Sequence, residues 1–270
     1  MRILDLLLCG SILACGSGAS KRLHISKTKP VPTVQSGLLT SRLSRRGQVE
    51  IIEVNAGWFV WGTDDKGALK RRRVFLDSFM IGKNDVTVGQ FKAYCRDKRI
   101  DFSTFWVPFG GWIDDHPMVN LTWQEARDFC KWAGGDLPTD AQWEKAARGT
   151  DGNKYPWGDS FDGTRLWWSK SMSSGVTGAT PVGKFPLGAS TYGCLDMSGN
   201  VLQWCLDSDE DLYSVRSDRN PRWSRSCTSR VLRGSDWTAD RPDYFLCTFR
   251  MFADPNRGSA NIGFRLACRS

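Results

Sequence analysis

Three helix starts of one kind, all before residue 150, set the limits on what this chain can build. Thr87 precedes Gln90, Thr122 precedes Glu125 and Thr139 precedes Gln142. In each Thr-x-x-Glu/Gln box the Thr hydroxyl accepts from a free backbone N–H of the first turn, and the acid or amide reaches back to the Thr N–H. The spacing predicts a first helix burying Phe91, Tyr94 and Cys95. It predicts a second burying Trp123, Ala126, Phe129, Cys130 and Ala133 and stopping at Gly134-Gly135, and a short third with Trp143, Ala146 and Ala147 on one side. After Gly149 the chain reads as turns and short strands to its end. Ahead of the helices, 49–60 reads as paired strands around Asn55-Ala56-Gly57, and 74–81 as another strand. Two amphipathic helices and a short third among twisted strands and long loops give an α+β fold. The 27 Gly and 13 Trp suit such a fold, whose few regular elements are held by large aromatic anchors.

The N-terminus reads as an export signal over residues 1–14, too short to span a bilayer. Ile12-Leu13-Ala14-Cys15 resembles a bacterial lipobox, so Cys15 is the expected lipid carrier. An ordinary signal peptide cut near Ala19 is the alternative. Residues 15–46 are Ser/Thr/Pro/Lys-rich and suit a flexible tether. Residues 47–270 then form one domain, placed at the cell surface by an outer-membrane lipid anchor. The net charge of +8 raises nucleic acid as a partner, but the cations are scattered, several lie in the tether, and no aromatic-basic stripe accompanies them; no nucleic-acid partner is expected. Zinc is equally disfavoured, because there is no CxxC and the only histidines are His24 and His116. The domain carries seven cysteines, an odd number, which leaves at least one without an intrachain partner.

The last forty residues are built differently from the rest. Val231-Leu232-Arg233-Gly234 at one end and Ile262-Gly263-Phe264-Arg265-Leu266 at the other read as framework. Between them, 235–261 mixes Asp, Thr, Tyr, Phe, Ser and Asn with neither helical nor strand period. A fixed frame around a chemically varied insert points to a displayed binding surface.

Several segments together carry a resemblance. His116-Pro117-Met118-Val119-Asn120, Leu137-Pro138-Thr139, Gln142-Trp143-Glu144-Lys145-Ala146-Ala147-Arg148-Gly149, Tyr155-Pro156-Trp157-Gly158, Gly199-Asn200-Val201, Leu232-Arg233-Gly234 and Gly263-Phe264-Arg265 occur in the order found in the formylglycine-generating, sulfatase-modifying-factor family. That resemblance implies a C-type lectin fold, which hosts both enzymes and pure binders. It also implies where catalysis would sit. The family's oxidases bind copper through two cysteines that fall here near Ala239 and Tyr244, neither of them Cys. A branch with a His/Glu iron site has only His116 to draw on in the domain. Finally, the resemblance implies a calcium loop over Asp196, Gly199 and Val201, with Glu usual where this chain has Gln203. No cofactor is required, and any calcium is expected to be structural.

The close of the chain resembles a narrower group, the variable proteins of diversity-generating retroelements, and most of all those of Treponema. In that group template Asn codons are randomised in their first two bases, which cannot produce Trp, Met, Lys, Glu or Gln. From Ser235 to Asn261 there is no Lys, Glu or Gln, and Trp237 and Met251 would be fixed. The resemblance implies a surface receptor for a ligand not named by the sequence, a protein rather than a glycan, since no Glu-Pro-Asn sugar motif is present. Tyr244, Phe245, Phe249 and Phe252 are the expected anchors, with Asp236, Thr238, Asp240, Thr248, Asp254, Asn256 and Ser259 as polar contacts. Trp237, Arg250, Arg257 and Arg265 are expected to hold the scaffold. The competing reading makes the Phe residues core and the Asp residues turns. At the level of the whole chain, the alternatives are a catalytically altered enzyme of the family and a fixed structural envelope lipoprotein.

Overall fold

The computed structural model describes residues 41–65, 69–105, 111–171, 178–208, 217–221 and 228–270. The export signal, Cys15, the tether up to residue 40 and Cys227 lie outside the described residues.

All three helices begin where the boxes place them: α1 (Val88–Lys98), α2 (Trp123–Ala133) and α3 (Asp140–Arg148), each with both halves of its capping box formed. The buried faces of α1 and α2 are the ones their spacing predicts, with Val88 added on α1. Gly134 ends α2 in the left-handed conformation at φ 96°. Gly135 follows because a Cβ there would lie 2.1 Å from the Ala267 carbonyl oxygen.

Strands β1 (Ser41–Leu43), β2 (Glu50–Val54), β5 (Phe79–Gly82) and β10 (Ala267–Arg269) form an antiparallel sheet in the order β1-β2-β5-β10. Its central strands β2 and β5 are buried on both faces. Val49, Ile51 and Met80 join the core around α1 and α2, while Ile52, Val54, Phe79 and Ile81 join the core around α3. The hairpin β3 (Gly57–Trp61) and β4 (Arg72–Leu76) covers the second core. A third sheet, in the order β8-β7-β6-β9, comprises β6 (Leu202–Ser208), β7 (Arg230–Arg233), β8 (Met251–Ala253) and β9 (Ile262–Phe264). β6 is paired antiparallel to β7 and parallel to β9.

Three expectations about strands change. β2 and β3 are not partners: β2 lies between β1 and β5, with Ile51 and Ile52 entering the cores on its opposite faces. The Asn55-Ala56 link carries the chain into another sheet, and the Lys145 ammonium holds it by donating to the Asn55 carbonyl at 2.6 Å and the Gly57 carbonyl at 3.2 Å. The 74–81 strand is two strands, broken where the Asp77 N–H donates to the Asn220 side chain at 2.9 Å. Within the segment read as tether, β1 pairs with β2, so residues 41–46 belong to the folded body.

Candidate functional site

Segment 235–261 spans the gap between β7 and β9, the two strands that flank β6. Its base is held by a buried ionic network. Arg233, fully buried on β7, donates to Asp140 and Glu144 of α3 at 2.9 Å each and to the Cys247 carbonyl. Arg250 donates to both carboxylates as well, and to the Thr248 carbonyl at 2.8 Å. Arg148 completes the cluster with a 3.0 Å bond to Glu144. Burial alone would raise the Asp140 carboxyl, but Arg233 and Arg250 more than offset it and hold it below the usual carboxylate range. Charges this deep are stable only while every partner is present. Arg265 plays a similar part at the far end, donating to Gln203 at 2.6 Å and to the Gly82 and Leu195 carbonyls.

On this base the expected contact residues divide. Thr238, Asp240, Phe252, Asp254 and Asn256 are exposed. Phe252 is 42 % exposed on β8, an edge strand whose register sets it opposite Val231. Thr248, Ser259 and the pair Tyr244–Phe249, whose rings lie 5.3 Å apart, are half-buried. Two residues are corrected. Phe245 is 1 % exposed, packed in a small core with Tyr155, Leu166 and Trp168, its ring 5.8 Å from Trp168. Asp236 is 5 % exposed and its carboxylate is spent locally, accepting from the Thr238 N–H at 2.7 Å and from Asn261 at 3.0 Å. It ties the two ends of the segment together, since Asn261 also bonds Ser259 at 2.5 Å. Asp254 forms the corresponding turn with the Asn256 N–H at 2.9 Å. Arg257 does not hold the scaffold; its side chain is 85 % exposed, 3.6 Å from Asp254. Met251, expected as framework, is 42 % exposed beside Phe252. Sequence reasoning missed it as a surface residue, since its place on the edge strand β8 has no signature in an aperiodic segment.

Cys247 is fully buried, and burial above all pushes its thiol well up, away from the thiolate that metal ligation needs. The six described cysteines are unpaired, and Cys268 alone among them is partly exposed.

In the calcium loop, Asp196 is buried and its Oδ2 accepts from the Gly183 N–H at 2.7 Å. Gln203 takes no part as an anion; its amide accepts from Trp143 and Arg265 and donates to the Asp196 carbonyl. Sequence reading missed Asp85. Both of its carboxylate oxygens are buried without a hydrogen-bond partner, and the nearest charge is Arg265 at 3.6 Å. Burial foremost, and also Asp196, raise the Asp85 carboxyl, with Arg265 opposing. Two neighbouring buried carboxylates, one of them orphaned, supply hard oxygens of the kind calcium takes, but no third acidic, His or Cys donor joins them among the described residues.

Comparison with known proteins adds the following. Residues 39–270 match the model of the sulfatase-modifying factor enzyme 1-like domain. The inactive C-alpha-formylglycine-generating enzyme 2 of Bos taurus is 36% identical over 304 residues, covering 88% of this chain and 95% of that protein. The formylglycine-generating enzyme of Mus musculus is 25% identical over 315 residues, covering 94% and 82%. Among solved structures, PvdO from Pseudomonas aeruginosa superposes with a TM-score of 0.73 at 24% identity, covering 86% of this chain and 98% of that one. Treponema denticola variable protein 1 does so with a TM-score of 0.68 at 24% identity, covering 86% and 99%. At that identity the two structures establish the shared fold.

Proposed function

The chain belongs to the sulfatase-modifying factor enzyme 1-like family, and from that premise we propose that it is a non-catalytic, ligand-binding member that displays segment 235–261 on a fixed lectin-type frame. The observation that carries this reading is the division within the segment. Its roots, Arg233, Cys247, Arg250 and Arg265, are locked into buried networks, while Thr238, Asp240, Met251, Phe252, Asp254 and Asn256 stand in solvent. Such a frame lets contact residues change without refolding the domain.

Diversification by a retroelement is supported by the codon palette, with no Lys, Glu or Gln from Ser235 to Asn261. The test is to sequence these codons and their flanking DNA in many isolates. We expect substitutions at Thr238, Asp240, Phe252, Asp254 and Asn256 and none at Arg233, Arg250 or Arg265, beside a near-copy of the segment and a reverse transcriptase. An invariant segment without such neighbours would overturn the reading in favour of a fixed-specificity envelope protein.

Absence of turnover is supported by Ala239 and Tyr244 at the oxidase cysteine positions and by the buried Cys247. Membership of a family with named enzymes keeps one rival, an altered oxidase. Oxygen consumption on a cysteine-containing peptide would establish it. The ligand is a protein on this reading, held by exposed aromatic and short polar side chains. Surface display through a lipid on Cys15 belongs to the same proposal, and equal fatty-acid labelling of Cys15→Ala would remove that part.

Calcium, if taken up, is structural and held by Asp196 and the Gly199 and Val201 carbonyls, with Asp85 as a further carboxylate. Added calcium is then expected to raise the Tm of the wild type, by about 2.7 kcal/mol of stability at a hundredfold excess over Kd, and to leave Asp85→Asn unmoved. An equal shift in both proteins would remove the assignment.

A further inference from the structure

Helices α1 and α2 and the turn after α1 line a small open pocket of about 270 Å³, formed by Phe91, Tyr94, Ile100, Thr104, Phe105, Glu125 and Asp128. We infer that this pocket binds an organic ammonium cation, cradled by aromatic rings and countered by two carboxylates. None of these residues lies in 235–261, so the inference does not depend on the display reading.

The walls are rigid. Phe91 is fully buried, meeting Phe105 edge-on at 5.2 Å and stacking on Phe129 at 5.8 Å. Tyr94 is held against Phe129 at 5.7 Å and Trp132 at 5.4 Å. Phe91 therefore backs the pocket, and the ring surface a ligand can reach is that of Tyr94 and the half-buried Phe105, whose quadrupole attracts a cation, most strongly one that is cheap to desolvate.

The charge has one sign. In a chain with net charge +8, the pocket is lined by two acids and no base. Glu125 uses Oε2 in its capping box, accepting from the Thr122 N–H and hydroxyl. Asp128 accepts from Gln124 through Oδ1 at 2.8 Å. Each acid thus keeps a second oxygen outside these bonds. Nearby cations are engaged elsewhere: Lys92 with Asp114 at 2.7 Å, and Arg127 with Asp136 at 2.9 Å. The field is felt by Tyr94, whose phenol is raised by burial first, then by Asp128, with Cys95 and Glu125 adding to it. Size narrows the choice further. The volume lies below the roughly 300–1,000 Å³ of pockets for drug-sized ligands, which suits a single head group such as a trimethylammonium or the end of a lysine side chain.

The test is an NMR titration of the domain with tetramethylammonium and with n-butylammonium, against neutral 3,3-dimethylbutanol. Saturable shifts at Tyr94 and Phe105 with a cation and weaker ones with the alcohol are expected. The tighter cation distinguishes a quaternary head group from a lysine end. In the double variant Glu125→Gln/Asp128→Asn the affinity should fall about tenfold. Gln still completes the capping box, so an unchanged Tm verifies that the pocket is intact. Equal binding of the alcohol, full affinity in the double variant, or no saturable shift with either cation would overturn the inference.

Discussion

Phe245 and Phe252 are the same side chain in the same segment, and one closes a core while the other faces water. Replacing Phe252 by Ser is expected to leave Tm nearly unchanged, whereas Phe245→Ala removes a ring packed on Phe161 and Trp168 and should cost about 3–5 kcal/mol. Thermal melts of the two proteins check this. Residue type within an aperiodic stretch does not report depth, which is why the anchors were only half legible in the sequence. Asp236 misled for a related reason: an Asp beside Thr serves a turn as readily as a ligand. Arg250 and Arg265, by contrast, were read correctly. Lys145 sets a pH dependence of its own. Burial brings its ammonium down to about 8 from an ordinary 10.5. Below pH 8 it is charged both folded and unfolded, and the cost of burying that charge is present. As pH rises above 8 the folded chain loses the proton first, so stability should climb. The climb ends near pH 9, where the six described thiols, all raised by burial and Cys95 to about 11, begin to draw stability away, joined above pH 10 by Tyr192, raised to about 12. Tm measured between pH 7 and 9 in both proteins should shift in favour of the wild type over Lys145→Met as pH rises.

At the scale of elements, the three capping boxes were fully legible because each signal is local, contained within four residues. Thr122→Ala breaks one of them: the Thr122 hydroxyl accepts from the Glu125 N–H at 3.3 Å and donates to its carboxylate at 2.7 Å. The expected loss is about 1 kcal/mol by urea denaturation. Strand pairing was not legible. β2 chooses β5 over its neighbour β3, and β10 reaches back to β5 from the end of the chain. Such choices depend on which faces must be buried, a property of the assembled sheet.

Over the whole molecule, the ionic network joins α3, β7 and the base of the displayed segment into one unit. Asp140→Asn leaves Arg233 and Arg250 short of a buried counter-charge, at a cost of about 3–5 kcal/mol. Equilibrium unfolding should show that loss, and a loss under 1 kcal/mol would mean the network is not the lock described. The Arg residues and the acids of α3 were visible in the sequence, as parts of separate motifs. Their convergence required β7 and α3 to be placed side by side.

The position of β9, Arg265 and β10 after the displayed segment has a consequence for how errors are handled. A frameshift or premature stop anywhere in 235–261 deletes the strand paired with β6, the guanidinium that binds Gln203 and the strand that closes the first sheet. A chain cut short within the segment therefore cannot complete its fold, and is left to proteolysis.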